Sequence, residues 1–119
     1  MISLTNIHDQ CIVKPGAYED LPFGPTTLVY KVAGKIFLFV GVDEDPPTIA
    51  IKGKPEDIEQ LRDRYSDVYP GPYLNAKHWT TIRLSGEVPD NIVRALIDAS
   101  YDIVVAGLPK AKRPVPNDS

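Results

Sequence analysis

The sequence predicts an α+β domain in which helices pack on a small antiparallel sheet. Three observations lead there. Two runs of β-branched and aromatic residues, 27–32 and 35–42, are separated only by Ala33-Gly34, the spacing of a tight hairpin. Helical periodicity recurs near the N-terminus, after residue 55 and over 89–106, and the longest of these runs into Gly107 and Pro109. The resulting order is helix, three strands, helix, one or two strands, helix, which suits helices laid on an antiparallel sheet. A chain of 119 residues fits one such domain, large enough to bury a core without metal or disulfide staples. The domain is expected to span 1–109, with a polar, proline-rich and frayed tail at 110–119.

Each element has a local reason. Ser3 can cap a first helix whose apolar positions Leu4, Ile7 and Cys11 lie on one face, and Pro15-Gly16 ends it. The stretch PGAYEDLPFGPTT, with its prolines and glycines, reads as a connecting loop. In the second strand Ile36, Leu38 and Val40 alternate with Phe37 and Phe39, so both faces are apolar, as in a central strand covered on each side. Residues 43–47, DEDPP, make a turn into a third strand at 48–52, completing a meander. Pro55 opens a helix at its first position, with Glu56 and Asp57 near the positive end of the dipole. Ile58, Leu61 and Tyr65 form its buried stripe, and Glu59, Arg62 and Asp63 face water. A further strand follows at 80–84. The last helix is expected to bury Ile92, Leu96, Ala99 and Ile103, with Val93, Ile97 and Val104 beside them. Phe37, Phe39, Leu96 and Ile103 are the predicted core markers.

Composition narrows the function classes. A single cysteine cannot form an internal disulfide, which suits a reducing cytoplasm, and with only two histidines a zinc finger is excluded by count. The first residues lack a basic region followed by an apolar run, so no signal peptide is expected. No apolar stretch approaches the ~20 residues of a membrane span. The net charge of −3 argues against a strongly electrostatic nucleic-acid binder, although basic groups collect at Lys52-Lys54, Lys77-His78-Arg83 and Lys110-Lys112-Arg113.

No catalytic motif is present, and no cofactor is expected. Cys11 lies on an apolar helical stripe and reads as a small buried hydrophobe. His8 and Asp9 are adjacent on a helix and do not face each other. Asp43, Glu44 and Asp45 are consecutive, and consecutive carboxylates seldom converge on one ion, so no metal site is expected. The chain is read as a non-enzyme.

The most informative stretch is residues 70–84, PGPYLNAKHWTTIRL, which gathers Asn75, Lys77, His78 and the lone Trp79 ahead of a strand. As a binding tip, Lys77 and Arg83 would supply charge for phosphates, Asn75 hydrogen bonds, and Trp79 a stacking surface. As plain structure, Asn75 would hold a turn, Trp79 would cap the core and Lys77 would be a solvated charge. Lys110, Lys112 and Arg113 follow the last helix, where they can complement its negative end or trail along a phosphate backbone.

The order of PGAYEDLPFG, YKVAGKIFLFV, the 70–84 stretch and the final helix resembles the MmcQ/YjbR family of small bacterial proteins, over about residues 7–113. The resemblance implies a CyaY-like fold, related to a "double wing" DNA-binding domain, and a DNA-binding role. The same fold is shared with frataxins, which bind iron through acidic surface residues. Their acidic first helix is not matched here, where Asp9 is the only acid. Two partner readings follow. One is DNA, through Asn75, Lys77, His78, Trp79, Arg83, Lys110, Lys112 and Arg113. The other is a protein or small ligand, on an adaptor with no nucleic-acid role. A shared positive face for these groups would favour DNA, and scattered charges the adaptor.

Overall fold

A computed structural model describes residues 2–115. Helix α1 (Leu4–Ile12) is followed by strands β1 (Ala17–Asp20), β2 (Thr27–Val32), β3 (Lys35–Gly41) and β4 (Thr48–Lys52). Then come α2 (Pro55–Arg64), β5 (Val68–Tyr69), β6 (Trp79–Arg83) and α3 (Asp90–Ala106), and a single 3-10 turn at Lys110–Lys112. All strand pairs are antiparallel, in the order β1-β2-β3-β4-β6-β5. The domain is α+β, as the patterns predict. No helix among the described residues is long and apolar enough to cross a membrane.

Local chemistry explains most boundaries. The Ser3 hydroxyl accepts the Asn6 amide while the Asn6 side chain accepts the Ser3 amide, a reciprocal cap on α1. The Ala33-Gly34 turn has φ of +50° and +80°, the left-handed pair that a two-residue hairpin requires, and glycine carries the second position without strain. Pro55 opens α2 as expected, and α3 begins at Asp90 with Pro89 as its cap.

The helices share one face of the sheet. Ile7 and Cys11 from α1, and Val93, Ile97, Tyr101 and Val104 from α3, pack onto Tyr30, Leu38, Val40, Ile49, Ile51 and Ile82. A β-bulge lies between the Tyr30–Leu38 and Lys31–Ile36 pairs, with Phe37 as the extra residue. The bulge explains why the neighbours Phe37 and Leu38 are both fully buried. Phe37 meets Tyr101 edge-on, with centroids 5.2 Å apart.

Several expectations need correction. The 15–27 stretch is not wholly a loop, because Ala17–Asp20 pairs with Val29–Val32 as edge strand β1. Its residues have little strand propensity; the order comes from pairing with β2. The inward stripe of α3 is Val93, Ile97, Ser100, Tyr101 and Val104 rather than Ile92, Leu96, Ala99 and Ile103. Helix α3 is rotated so that Ser100 faces the sheet, which leaves Leu96 and Ile103 half-buried towards α2 and Ala99 exposed. Phe39 is likewise half-buried, because it lies on the other face of the sheet. Arg62 does not simply face water, since its guanidinium donates to the Trp79 carbonyl (2.9 Å) and the Thr80 hydroxyl (3.2 Å). The tail does not fray immediately: Arg113 donates to the Ala106 and Leu108 carbonyls, satisfying acceptors at the end of α3. The expected fraying of 116–119 concerns residues outside those described.

Two substitutions test this packing in urea denaturation. Ile97→Ala should cost ~2–5 kcal/mol, as a large-to-small change at a fully buried site, and Leu96→Ala clearly less. Equal costs would mean that the helix is turned the other way.

Candidate functional site

The helix-free face of the sheet is built by strand register. One row across it runs Val29, Phe39, Ala50, Thr81 and Tyr69, each paired with the next. A neighbouring row runs Thr27, Gly41, Thr48 and Arg83, and Lys52 pairs with Trp79 on the opposite side. These are the residues whose neighbours in sequence point into the core, as the period of a strand demands.

Two loops rise over this face and make it a groove. The first, between β1 and β2, carries Phe23, whose ring stacks near Phe39 at 6.3 Å yet remains 63% exposed. The second, between β5 and β6, begins Pro70-Gly71-Pro72. A Cβ on Gly71 would fall 2.2 Å from the Thr81 hydroxyl oxygen, so only glycine lets the loop lie this close to the sheet. The same loop carries Tyr73 at φ +69° and 102% exposure. A left-handed tyrosine costs of order 1–3 kcal/mol, and full exposure offers it no packing in return. Between the two loops lies a groove of about 500 Å³, with Phe39, Thr48, Ala50 and Thr81 on its floor and Phe23, Tyr73 and Leu74 on its walls. Glu44 stands at one end.

The residues singled out in the sequence divide between roles. Asn75 holds a turn: its side chain accepts the Lys77 amide (3.0 Å) and its carbonyl accepts the His78 and Trp79 amides. Lys77 is exposed, and the His78 carbonyl accepts the Gly53 amide (2.9 Å), tying the loop to the start of α2. Trp79 is half-buried on the helix-free face. It meets Phe39 edge-on at 5.3 Å, and the Lys52 ammonium lies 6.0 Å from its centroid. Arg83 is exposed at the far end of β6, with its guanidinium 5.8 Å from the Tyr69 ring.

These cations do not form one face. Lys77 precedes the span Trp79–Arg83 and Arg83 ends it, so roughly 13 Å of strand separates them. Lys110, Lys112 and Arg113 follow α3 at the β1 side, where Pro114 packs against Gly16. Four strand spacings, roughly 19 Å, separate β1 from β6. Both distances exceed the Debye length of about 8 Å at physiological salt, so the charges do not add into one field. Register also sorts charge along the strands. Lys35, Lys52 and Lys77 cluster at one end, whereas Asp20, the 43–45 turn, Asp67 and Glu87 lie at the other, together with Arg83.

The groove residues Phe23, Gly41, Tyr69 and Tyr73 were not singled out from sequence, and Glu44 only as one of three consecutive carboxylates. Tyr73 and Gly71 fall inside the 70–84 stretch, but Gly71's meaning depends on a contact with Thr81 that no local pattern shows. Elsewhere, Asp43, Glu44 and Asp45 do not converge into a group of three able to hold a metal ion. Cys11 is fully buried, and burial pushes its thiol up to about 12. His8 bonds the Tyr30 hydroxyl (2.9 Å) and lies 3.5 Å from Glu19, an arrangement that joins α1 to the sheet.

With this geometry in view, comparison with known proteins places the chain. The family model described as YjbR matches residues 13–103. An Escherichia coli K12 protein, "Uncharacterized protein YjbR", is 36% identical over 112 residues, covering 94% of this chain and 95% of that protein. "Uncharacterized protein YbdF" of E. coli O157:H7 is 35% identical over 89 residues, 75% of this chain and 73% of that one. The crystal structure of Deinococcus radiodurans protein DR2400, a DUF419 domain, superposes with a TM-score of 0.89 at 33% identity, covering 95% of this chain and 86% of that one. A Pseudomonas syringae protein shares the fold, with a TM-score of 0.73 at 22% identity over 86% of this chain and 98% of that one.

A thiol reagent checks the burial at this end of the core. A thiol raised to about 12 is almost entirely protonated near pH 8, so Cys11 should stay unreactive in the native protein and react fully in urea. Rapid native labelling would show that α1 opens readily.

Proposed function

The chain belongs to the YjbR family, and from that premise we propose that it is a non-enzymatic binding module whose ligand site is the groove on the helix-free face of the sheet. The observation that carries this reading is the pair of aromatic walls, Phe23 and Tyr73, left exposed on either side of an apolar floor. Exposed aromatic rings around a concavity of this size are typical of a site that buries a ligand, since pockets of about 300–1,000 Å³ hold small molecules. The non-enzymatic part is supported by the buried, protonated Cys11 and by a groove lining without cysteine, histidine or lysine. Of the partners left open by the sequence, a protein or small ligand is favoured over DNA, because the cations are dispersed and the groove lining contains no lysine or arginine.

One observation favours DNA as a second reading. Lys52 and Arg83 each lie over an aromatic ring on the groove's own face, the pairing of charge and stacking surface used to bind unpaired bases. Cytoplasmic residence is part of the proposal, supported by the single unpaired cysteine.

Trp79 is a native probe, being the only tryptophan and in contact with Phe39 at the groove's flank. Phenylbutanol should shift the amide resonances of Ala50 and Thr81 with an affinity indifferent to salt. Tyr73→Ala should weaken that binding by about 1 kcal/mol without lowering the thermal midpoint. Salt-sensitive quenching of Trp79 by single-stranded oligonucleotide, with no response to phenylbutanol, would replace this reading by the DNA one.

A further inference from the structure

Glu44 is the only charged residue lining the groove among the described residues, and it has no hydrogen-bond or ion-pair partner among them. Its carboxylate hangs over Gly41. A Cβ at that position would come 3.5 Å from the carboxylate oxygen Oε2 and 2.7 Å from the Thr48 hydroxyl oxygen, so glycine keeps the floor open beneath two acceptors. Asp43 and Asp45 flank Glu44 in the same turn and add to the negative potential. The nearest basic side chain by register, Arg83, has its guanidinium 5.8 Å from the Tyr69 ring and makes no ion pair with Glu44. The rest of the lining is aromatic, aliphatic or threonine, with Phe23, Phe39 and Tyr73 offering ring faces that attract cations.

From this we propose that the groove takes a small organic cation, a protonated amine on an apolar or aromatic body. The ammonium lies at Glu44 and Thr48, and the body lies between Phe23 and Tyr73. The proposal rests on the groove being the ligand site and adds the charge and size of the ligand. A carboxylate that makes no ion pair repels phosphates and carboxylates, so anionic ligands are disfavoured beside Glu44. An ammonium there gains a charge-assisted hydrogen bond to the Glu44 carboxylate. The volume of about 500 Å³ matches a small molecule rather than an extended polypeptide segment.

The test uses three probes with one shared body, phenylbutylamine, phenylbutanol and phenylbutyrate, titrated into the full chain. Amide shifts at Gly41, Thr48 and Thr81 report groove occupancy. The amine should bind about tenfold more tightly than the alcohol, in line with one charge-assisted hydrogen bond, and the acid most weakly. Glu44→Gln, a change in an exposed turn, should abolish the amine's advantage, so that amine and alcohol bind the variant about equally. If the alcohol equals the amine in the wild type, or if the preference survives in Glu44→Gln, the cation proposal is wrong while the groove remains the ligand site. If none of the three shifts these amides, the groove reading itself falls. Shifts produced by a lysine-containing peptide but not by the amine would overturn the small-molecule proposal in favour of a partner's side chain.

Discussion

The Ser100 hydroxyl is the contact on which the architecture turns. It donates to the Phe37 carbonyl at 2.6 Å and accepts the Lys52 amide at 2.9 Å, all within the core. The ladder between β3 and β4 stops at the Leu38–Ile51 pair, because the bulge at Phe37 carries β3 away from its neighbour. A donor and an acceptor that would otherwise be buried without partners are both met by one side chain on α3. An unmet buried group costs ~1–3 kcal/mol, so a small hydroxyl here outweighs the apolar contact that a methyl would add. It also fixes the rotation of α3, and with it the choice of Val93, Ile97 and Val104 as the inward stripe.

The bulge that Ser100 satisfies has a consequence on the opposite face. By inserting one residue, it turns Phe37 as well as Leu38 into the core and leaves Phe39 alone to face outward. Phe39 then organises the helix-free side, with Trp79 edge-on to it and Phe23 stacked near it. Core packing and groove are thus two results of a single irregularity in β3. A second tie holds the distant helices together. Lys14 and Gln10 on the α1 side both donate to Asp98 on α3. Burial alone would push the Asp98 carboxyl up, but these bonds outweigh it and hold the carboxyl below its ordinary value. The tie therefore strengthens folding above the usual carboxylate range and is lost as pH falls through the lowered value.

What could be read from sequence follows from how local each signal is. The hairpin, the 48–52 strand and the last helix announce themselves through alternation, a two-residue turn and a 3.6-residue period, and their boundaries hold within about two residues. Strand β1 was illegible because Ala-Tyr-Glu-Asp has no strand preference of its own; pairing with β2 supplies it. The stripe on α3 was misread because periodicity weighs a serine as polar and outward, whereas a bulge on a distant strand made it the best inward residue. The site was hardest. Asn75 proved to be a turn residue, which the alternative structural reading already contained. Trp79 lies on the sheet face rather than on a tip. The groove itself joins residues from 23 to 81 in the chain, and none of them carries a motif.

The charge distribution decides more than the net charge does. An overall value of −3 is compatible with almost any partner, but register places Lys35, Lys52 and Lys77 at one end of the strands and the acidic turn, with Arg83, at the other. The groove opens beside the acidic turn. A ligand arriving there meets Glu44, and no lysine lines the groove. Phosphate-bearing partners would have to approach from the Lys52 end, across Trp79, where the surface is a flank and not a concavity. The sheet therefore offers two unequal places for chemistry: an enclosed aromatic groove suited to a cation, and an open rim where a flat ring could stack. For the proposed ligand, enclosure would remove more surface from water per ligand atom than the rim does, so its apolar body would gain most in the groove.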